Sequence, residues 1–334
     1  MSVSATPSVS AVAPPAATGR GSPRSARRAA RRRYRIRVLL FLSPWLAGVG
    51  IFLVYPLLAT VYFSFTQYDL LSDPVWVGLR NWDFLLHKDP HVWQAMRNTL
   101  WLVLVMVPLR VCFGLGVAGV LTRIRSGAGL FRTLFYLPYL VPPVAGTLAF
   151  VFLLNPGTGP VNHILHGIGI TGPAWFNDPR WAKPALVLLS LWGIGDLMVI
   201  FLASLLDVPA ELYEAAALDG ASGWQRFRYV TLPAMSPVLV FAAVTGVIAS
   251  LQYFTQAMVA ARVASGVTDA PGTQITPGYP DFSTLTLPQW LFEEGFRQYN
   301  IGYACVLALV LFVVALGFTA VLLRRSSGLI GDEA

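Results

Sequence analysis

Six long apolar runs constrain this chain more than any other feature. They cover roughly 37–64, 98–122, 131–154, 183–206, 232–260 and 300–323, and each is 23 residues or longer. About 20 helical residues cross the hydrocarbon core of a bilayer. Lipid offers a backbone no hydrogen-bond partner, so such runs must be helices or strands of a closed barrel. Barrel strands alternate polar and apolar side chains over about 10 positions, and a stretch such as Val238–Ser250 shows no alternation. The reading is an all-α integral membrane protein with six transmembrane helices. Composition agrees, with 55% of residues hydrophobic and only 12% charged, about half the charged share of a soluble domain. A water-soluble globule is excluded.

A formal charge of +8 would suggest a nucleic-acid partner if it were spread over the fold. It is not. Nine arginines (Arg20, Arg24, Arg27, Arg28, Arg31, Arg32, Arg33, Arg35, Arg37) lie in residues 1–37 with no acid among them, and the other 15 basic and 16 acidic residues nearly cancel. An even number of spans puts both termini on one side. Placing the tail inside gives 16 Lys and Arg there, in the tail and at 123–132, 226–228 and 324–325. The opposite side holds seven: Arg80, Lys88, Arg97, Arg180, Lys183, Arg262 and Arg297. The positive-inside rule then makes both termini and the 207–230 loop cytoplasmic. Residues 1–36, rich in Ala, Ser, Pro and Arg, are expected to be disordered. Their arginines suit anionic membrane lipids better than nucleic acid. Residues 326–334 form a short cytoplasmic tail. The apolar run that follows the N-terminal tail is too long for the core of a signal peptide.

The most polar segment on the cytoplasmic side lies between the fourth and fifth runs, at 207–233. Pro209 can open a helix at its first turn, and Glu211 and Glu214 sit near the positive end of its dipole. Gly220 permits a left-handed turn. Ser222 can cap a second short helix through Trp224–Tyr229. The segment reads as a helix–turn–helix.

Its sequence is more specific than an ordinary hairpin. Glu214-Ala215-Ala216, three residues, Gly220, nine residues, Val230, Thr231 and Leu232-Pro233 resembles the EAA motif of binding-protein-dependent ABC transporter permeases, with valine in place of isoleucine. Three more stretches are similar to the carbohydrate-uptake branch: Gly159-Pro-Val-Asn162 with Trp175–Pro179, Ser250-Leu-Gln-Tyr-Phe-Thr-Gln256, and Gly302-Tyr303-Ala304. The resemblance spans about 37–325. It implies the type I ABC importer permease architecture: a six-helix domain in the bacterial plasma membrane, both termini cytoplasmic. Such a subunit does not hydrolyse ATP. By the resemblance, Glu214, Ala215, Ala216, Asp219 and Gly220 couple it to a cytoplasmic ATP-binding subunit. A second, non-identical permease and an extracytoplasmic solute-binding protein are the other implied partners, and the cargo is a sugar or related polyol. No cofactor is implied. Small side chains at 215–217 allow another protein to approach closely, and Glu214 offers a charge to a basic partner. Only two lysines exist, Lys88 and Lys183, preceded by His87 and Ala182. A phosphate-cradling Gly-Lys-Ser/Thr loop is therefore impossible here.

Ionisable side chains inside a membrane are functional candidates. Arg110 and Asp196 either pair with each other, or Asp196 faces the pathway beside Trp192, where a carboxylate and an aromatic plane suit a sugar ring. In the fifth run Gln252, Tyr253 and Gln256 suit a polyol or, equally, helix–helix contacts. Gln252 and Gln256 are expected to share a helix face. Pro56, Pro108, Pro138, Pro142 and Pro143 are expected to break helical ladders, which is tolerated beside protein or a cavity. His163 and His166 have a helical metal-ligand spacing but no third ligand nearby except Asp178, so a surface loop and no metal is the reading.

Three other functions compete. A permease for an anion or phosphate ester would want basic groups in the pathway, where only Arg110 stands; a polyamine permease would share the same motif. An integral membrane glycosyltransferase would want clustered membrane-facing carboxylates, yet Asp207, Glu211, Glu214 and Asp219 fit the coupling motif. A secondary transporter would show inverted repeats, and none is seen between the halves. The 262–299 segment lacks the shorter, Gly-Gly-Pro-bearing sequence of carbohydrate permeases. It is read as either a contact for the binding protein or a disordered loop.

Overall fold

The computed structural model describes residues 23–124, 126–266 and 276–330, and the chain divides into two compact units, 1–59 and 60–334. The chain begins with α1 (Pro23–Val49), a π-helical turn (Gly50–Val54) and α2 (Tyr55–Phe63). Of the expected disordered tail, residues 23–36 are therefore helical; alanine and arginine are strong helix formers. The rest of that tail lies outside the described residues. Ile36–Phe63 is long and apolar enough to cross a membrane, and none of its side chains is buried. Within the π turn Tyr55 N–H reaches Gly50 O. The widened turn lets the helix continue into Pro56, which has no N–H to offer.

In the second unit a two-stranded antiparallel ribbon, β1 (Thr66–Gln67) with β2 (Val75–Trp76), is a small departure from the all-α expectation. Next come α3 (Arg80–His87), α4 (Val92–Leu121), α5 (Ala128–Tyr136), α6 (Pro143–Leu153) and α7 (Pro160–Gly167). After them stand α8 (Pro179–Trp192), α9 (Gly195–Asp207), α10 (Ala210–Leu218), α11 (Gly223–Arg226) and α12 (Leu232–Ala234). The chain finishes through α13 (Ser236–Leu251), α14 (Thr255–Ser265), α15 (Leu287–Phe292) and α16 (Ile301–Ile330).

Among the described residues, three straight helical stretches are membrane-length: Ile36–Phe63, Val92–Leu121 and Ile301–Arg324. The third and fourth apolar runs are bent pairs, Ala128–Leu140 with Pro143–Leu153 (99°) and Pro179–Trp192 with Gly195–Asp207 (50°). The fifth run's Ser236–Leu251 meets Gly223–Ala234, the end of the 207–233 loop, at 69°. The sharpest bend has a direct cause. A proline drives the residue before it into extended backbone, and Val141 and Pro142, each followed by proline, sit at ψ 129° and 136°. Pro108, by contrast, lies inside α4 without ending it, and the first helix runs on through Pro56, so two of the five expected breaks do not occur.

A further correction concerns the fifth run. The helix stops at Leu251 and restarts at Thr255, so Gln252 and Gln256 flank a break and do not share a helix face. The Tyr253 carbonyl, released from the ladder, accepts instead from the Thr286 hydroxyl at 3.1 Å.

The long helix α4 is the spine of this unit, packing against α8, α9 and α13, while α13 packs on α16 and α6 on α14. Lipid removes the hydrophobic drive between helices, so close approach through small residues decides their packing. Gly114 and Ala118, four apart on α4, meet Ile194, Leu197 and Phe201 on or beside α9. A Cβ on Gly114 would already touch all three at 3.4 Å.

Candidate functional site

Three polar constructions follow one another along α4. At its N-terminal end Asp89 is buried and accepts four hydrogen bonds: His91 N–H (2.7 Å), Val92 N–H (3.1 Å), Trp290 Nε1–H (2.7 Å) and the Tyr303 hydroxyl. A buried carboxylate is tolerable only when matched in this way. Asn98 donates to the carbonyls of Phe282 (2.8 Å) and Leu285 (3.0 Å) and accepts from Lys183 (3.1 Å). Thr286 and Gln289 form a capping box on α15. The described part of the 262–299 segment is thus clamped to α4 and α16, while 267–275 lies outside the described residues. Beside Asp89, burial pushes the Glu294 carboxyl up to about 7, with Asp89 and Glu293 adding repulsion and an Asn300 hydrogen bond opposing.

Midway along α4, Arg110 donates to Asp196 at 3.1 and 3.4 Å. The pairing alternative is the one realised. Arg110 lines a cavity of about 140 Å³ together with Trp192, Tyr253, Gln256, Ser190 and Tyr139. Among the described residues, the Arg110 Nε and the Tyr253 hydroxyl are buried without a hydrogen-bond partner. The cavity wall therefore offers an aromatic plane and an amide, and two unsatisfied polar atoms are buried behind its surface. Three of the sequence candidates, Trp192, Tyr253 and Gln256, meet here. Asp196 is bonded to Arg110 and lies outside the lining, as does Gln252, which caps the end of α13. Sequence reasoning named Arg110 a candidate and its pairing with Asp196 one of two alternatives; that Arg110 also lines the cavity with Trp192, Tyr253 and Gln256 is decided by contacts across the fold.

At the C-terminal end of α4 stands the 207–233 loop. The α10 helix has no buried residue; Glu214, Ala215, Asp219 and Gly220 are exposed and Ala216 half-buried. Its end closes as a Schellman motif: Ala221 N–H reaches Ala216 O (2.9 Å), Gly220 N–H reaches Ala217 O (3.1 Å), and Gly220 sits at φ +77°. Ser222 and Gln225 then form a reciprocal capping box on α11, so the helix–turn–helix is built as expected from its local residues. One tie escaped the sequence. Tyr213 and Thr231 bond through their hydroxyls at 2.9 Å, pinning the two arms together. Leu218 (90% exposed), Trp224 and Tyr229 turn apolar surface outward, and such patches mark contact sites.

The other sequence-marked stretches have structural roles. Trp175 Nε1 donates to Asn162 (2.7 Å), which in turn donates to Pro173 O (3.1 Å). His163 and His166 stand on the short α7 and not in a loop. Asp178 caps α8 through Arg180 N–H at 2.9 Å. Among the described residues no group of three or more His, Cys, Asp and Glu can hold a metal.

A bundle of bent apolar helices with a self-capped loop held clear of its core describes a membrane transport subunit. Residues 110–327 match the family of binding-protein-dependent transport system inner membrane components, and the chain belongs to that family. It is a transport subunit and not an enzyme. A probable ABC transporter permease protein of Bacillus subtilis (strain 168) is 34% identical over 86% of this chain and 89% of its own. A lactose transport system permease protein of Rhizobium radiobacter is 32% identical over 88% of this chain and 96% of its own. A sulfoquinovosyl glycerol transport system permease protein of Agrobacterium fabrum (strain C58 / ATCC 33970) is 32% identical over 87% and 90%. The fold is shared with a chain of a bacterial ABC transporter that imports the acidic polysaccharide alginate, at TM-score 0.73 and 21% identity over 90% of this chain and 98% of that one.

Proposed function

We infer that this chain is one of two non-identical permeases in an ABC importer for a sugar or related polyol. In this reading the 37–325 domain crosses the membrane six times, with a 1–36 tail and a short 326–334 tail flanking it. The excess of Lys and Arg on one side supports a cytoplasmic position for both termini and the 207–233 loop. A loaded binding protein docks outside. ATP closes two ATP-binding subunits, and Glu214, Ala215, Ala216, Asp219 and Gly220 carry that closure to the spans. The cargo passes Trp192, Tyr253 and Gln256, with Asp196 holding Arg110 in place; Gln252 is a weaker candidate because it stands outside the cavity. Rocking of the two permeases exposes the cargo to each side in turn.

The single observation that carries this reading is the exposed, doubly capped α10–α11 loop bearing the family motif. The sugar assignment is supported by relatives named for lactose and sulfoquinovosyl glycerol transport. Arg110 being neutralised by Asp196 favours an uncharged cargo over an anion. The test is uptake of labelled mono- and disaccharides by the assembled transporter. Glu214→Ala should abolish uptake while the complex still reaches the membrane, whereas Trp192→Ala and Gln256→Ala should alter the KM for cargo. Unchanged uptake in Glu214→Ala would remove the coupling role. Saturable uptake of an anion in place of any sugar would remove the cargo class.

A further inference from the structure

Between the 207–233 loop and the ends of α4 and α9 lies a second cavity, about 440 Å³ in volume. That is within the range of small-molecule sites, and it is separate from the Arg110 cavity. Arg123 and Arg226 both line it, and no carboxylate does. The surrounding hydroxyls are already committed. Thr122 donates to Gly119 O at 2.8 Å, and Tyr213 and Thr231 are bonded to each other. What remains unmatched is cationic. Among the described residues, Arg226 Nε is buried without a partner, and neither guanidinium forms an ion pair there. The carboxyl ends of α4 and α9 attract cations, which explains why arginines are tolerated at this place. A guanidinium carries five donors in a fixed fork, however, and a helix end does not exhaust them. Two arginines that line one water-accessible space, with Phe227 beside them in its wall, bring the donors that pair bidentately with the planar or tetrahedral oxygens of an anion.

We propose that this cavity is a binding site for a phosphate group, held by Arg123 and Arg226 at the root of the loop. A phospholipid headgroup and a free phosphate compound share that chemistry. The assembled transporter is tested in two arms. In phosphatidylcholine nanodiscs, radiolabelled inorganic phosphate is titrated by equilibrium dialysis; in nanodiscs containing phosphatidylglycerol, lipid retained after detergent exchange is measured by mass spectrometry. Saturable binding in the first arm assigns a free phosphate, and retention in the second alone assigns a headgroup. In whichever arm binds, Arg226→Gln and Arg123→Gln should each weaken it about tenfold or more, as expected for losing one charge-assisted contact. Arg228→Gln should leave it unchanged, since that side chain lines a different groove with Leu232, Ser236 and Leu322. If Arg226→Gln fails to assemble, the exposed Arg123 supplies the same test. No binding in either arm, or binding indifferent to both arginines, overturns the site. The outcome is independent of the coupling role, which the Glu214→Ala uptake experiment decides by itself.

Discussion

The two ends of α4 are finished in opposite ways. At Val92 the chain closes over a buried carboxylate: Asp89 is surrounded by four donors drawn from α4, α15 and α16. Past Leu121, the neighbouring α10–α11 loop has no buried side chain in α10 or α11 and depends on its own caps. At one end two of the four contacts join residues some 200 positions apart; at the other the caps act within five positions, and the longest tie, Tyr213 to Thr231, spans 18. The difference separates a fixed floor from the loop to which the proposed function assigns contact with an ATP-binding subunit. A loop stabilised locally holds its shape without support from the rest of the fold, and it carries Leu218 and Trp224 exposed on its surface.

The contrast can be broken most severely at Asp89. Asp89→Ala should cost about 3–5 kcal/mol of stability, because the Trp290 and Tyr303 donors and two backbone N–H groups lose their acceptor together. Thermal unfolding in nanodiscs reads this, and a loss below about 1 kcal/mol would mean the floor is held by other contacts. Next is Glu294, whose carboxyl is raised from 4.5 to about 7. The folded state then binds its proton more tightly than the unfolded state, so the Glu294 contribution to stability is fully present below about pH 4.5 and is lost as pH rises through about 7. The full decline is about 3 kcal/mol. Glu294→Gln should flatten that slope and melt higher at about pH 8, above both pKa values; an unchanged slope would locate the titration elsewhere.

At the loop the balance reverses. Gly220→Val forces a branched residue into left-handed backbone, a local strain of about 1–2 kcal/mol, since Gly220 sits at φ +77°. Because the loop can yield alone, global melting should hardly move, while uptake falls about 5- to 150-fold, the span of ordinary coupling energies. A matching fall in melting temperature would make the loop part of the core. The smallest structural effect is expected for Leu218→Ser, within about 0.5 kcal/mol of the parent in unfolding. Its signature should be weaker co-purification of the ATP-binding subunit, and full retention of that subunit would leave Leu218 without a role.

Much of the loop is legible in the sequence. Proline, glycine and serine at 209, 220 and 222 act on their immediate neighbours, so the helix ends they signal form as read. The apolar runs are equally legible, since length and hydropathy are sums over adjacent residues. Pro142 and Pro143 announce a bend for the same reason, although its 99° angle needs the fold. Pro108 shows the limit, because α4 continues through it. The break at 252–254 is invisible in the sequence, because Thr286, 33 residues on, captures the Tyr253 carbonyl.

Sequence alone therefore determined that the chain lives in a membrane, how many apolar runs it has, and where its self-capped motif lies. Each of these follows from forces acting within a few residues or from bulk transfer to lipid. Tertiary structure alone decided that Arg110 meets Asp196, that Trp192, Tyr253 and Gln256 share one cavity, and that Asp89 gathers its four donors. It also put Arg123 and Arg226 on the wall of one cavity behind the loop. Such pairings join residues tens to hundreds of positions apart, and their partners are selected by helix packing, which no local pattern encodes.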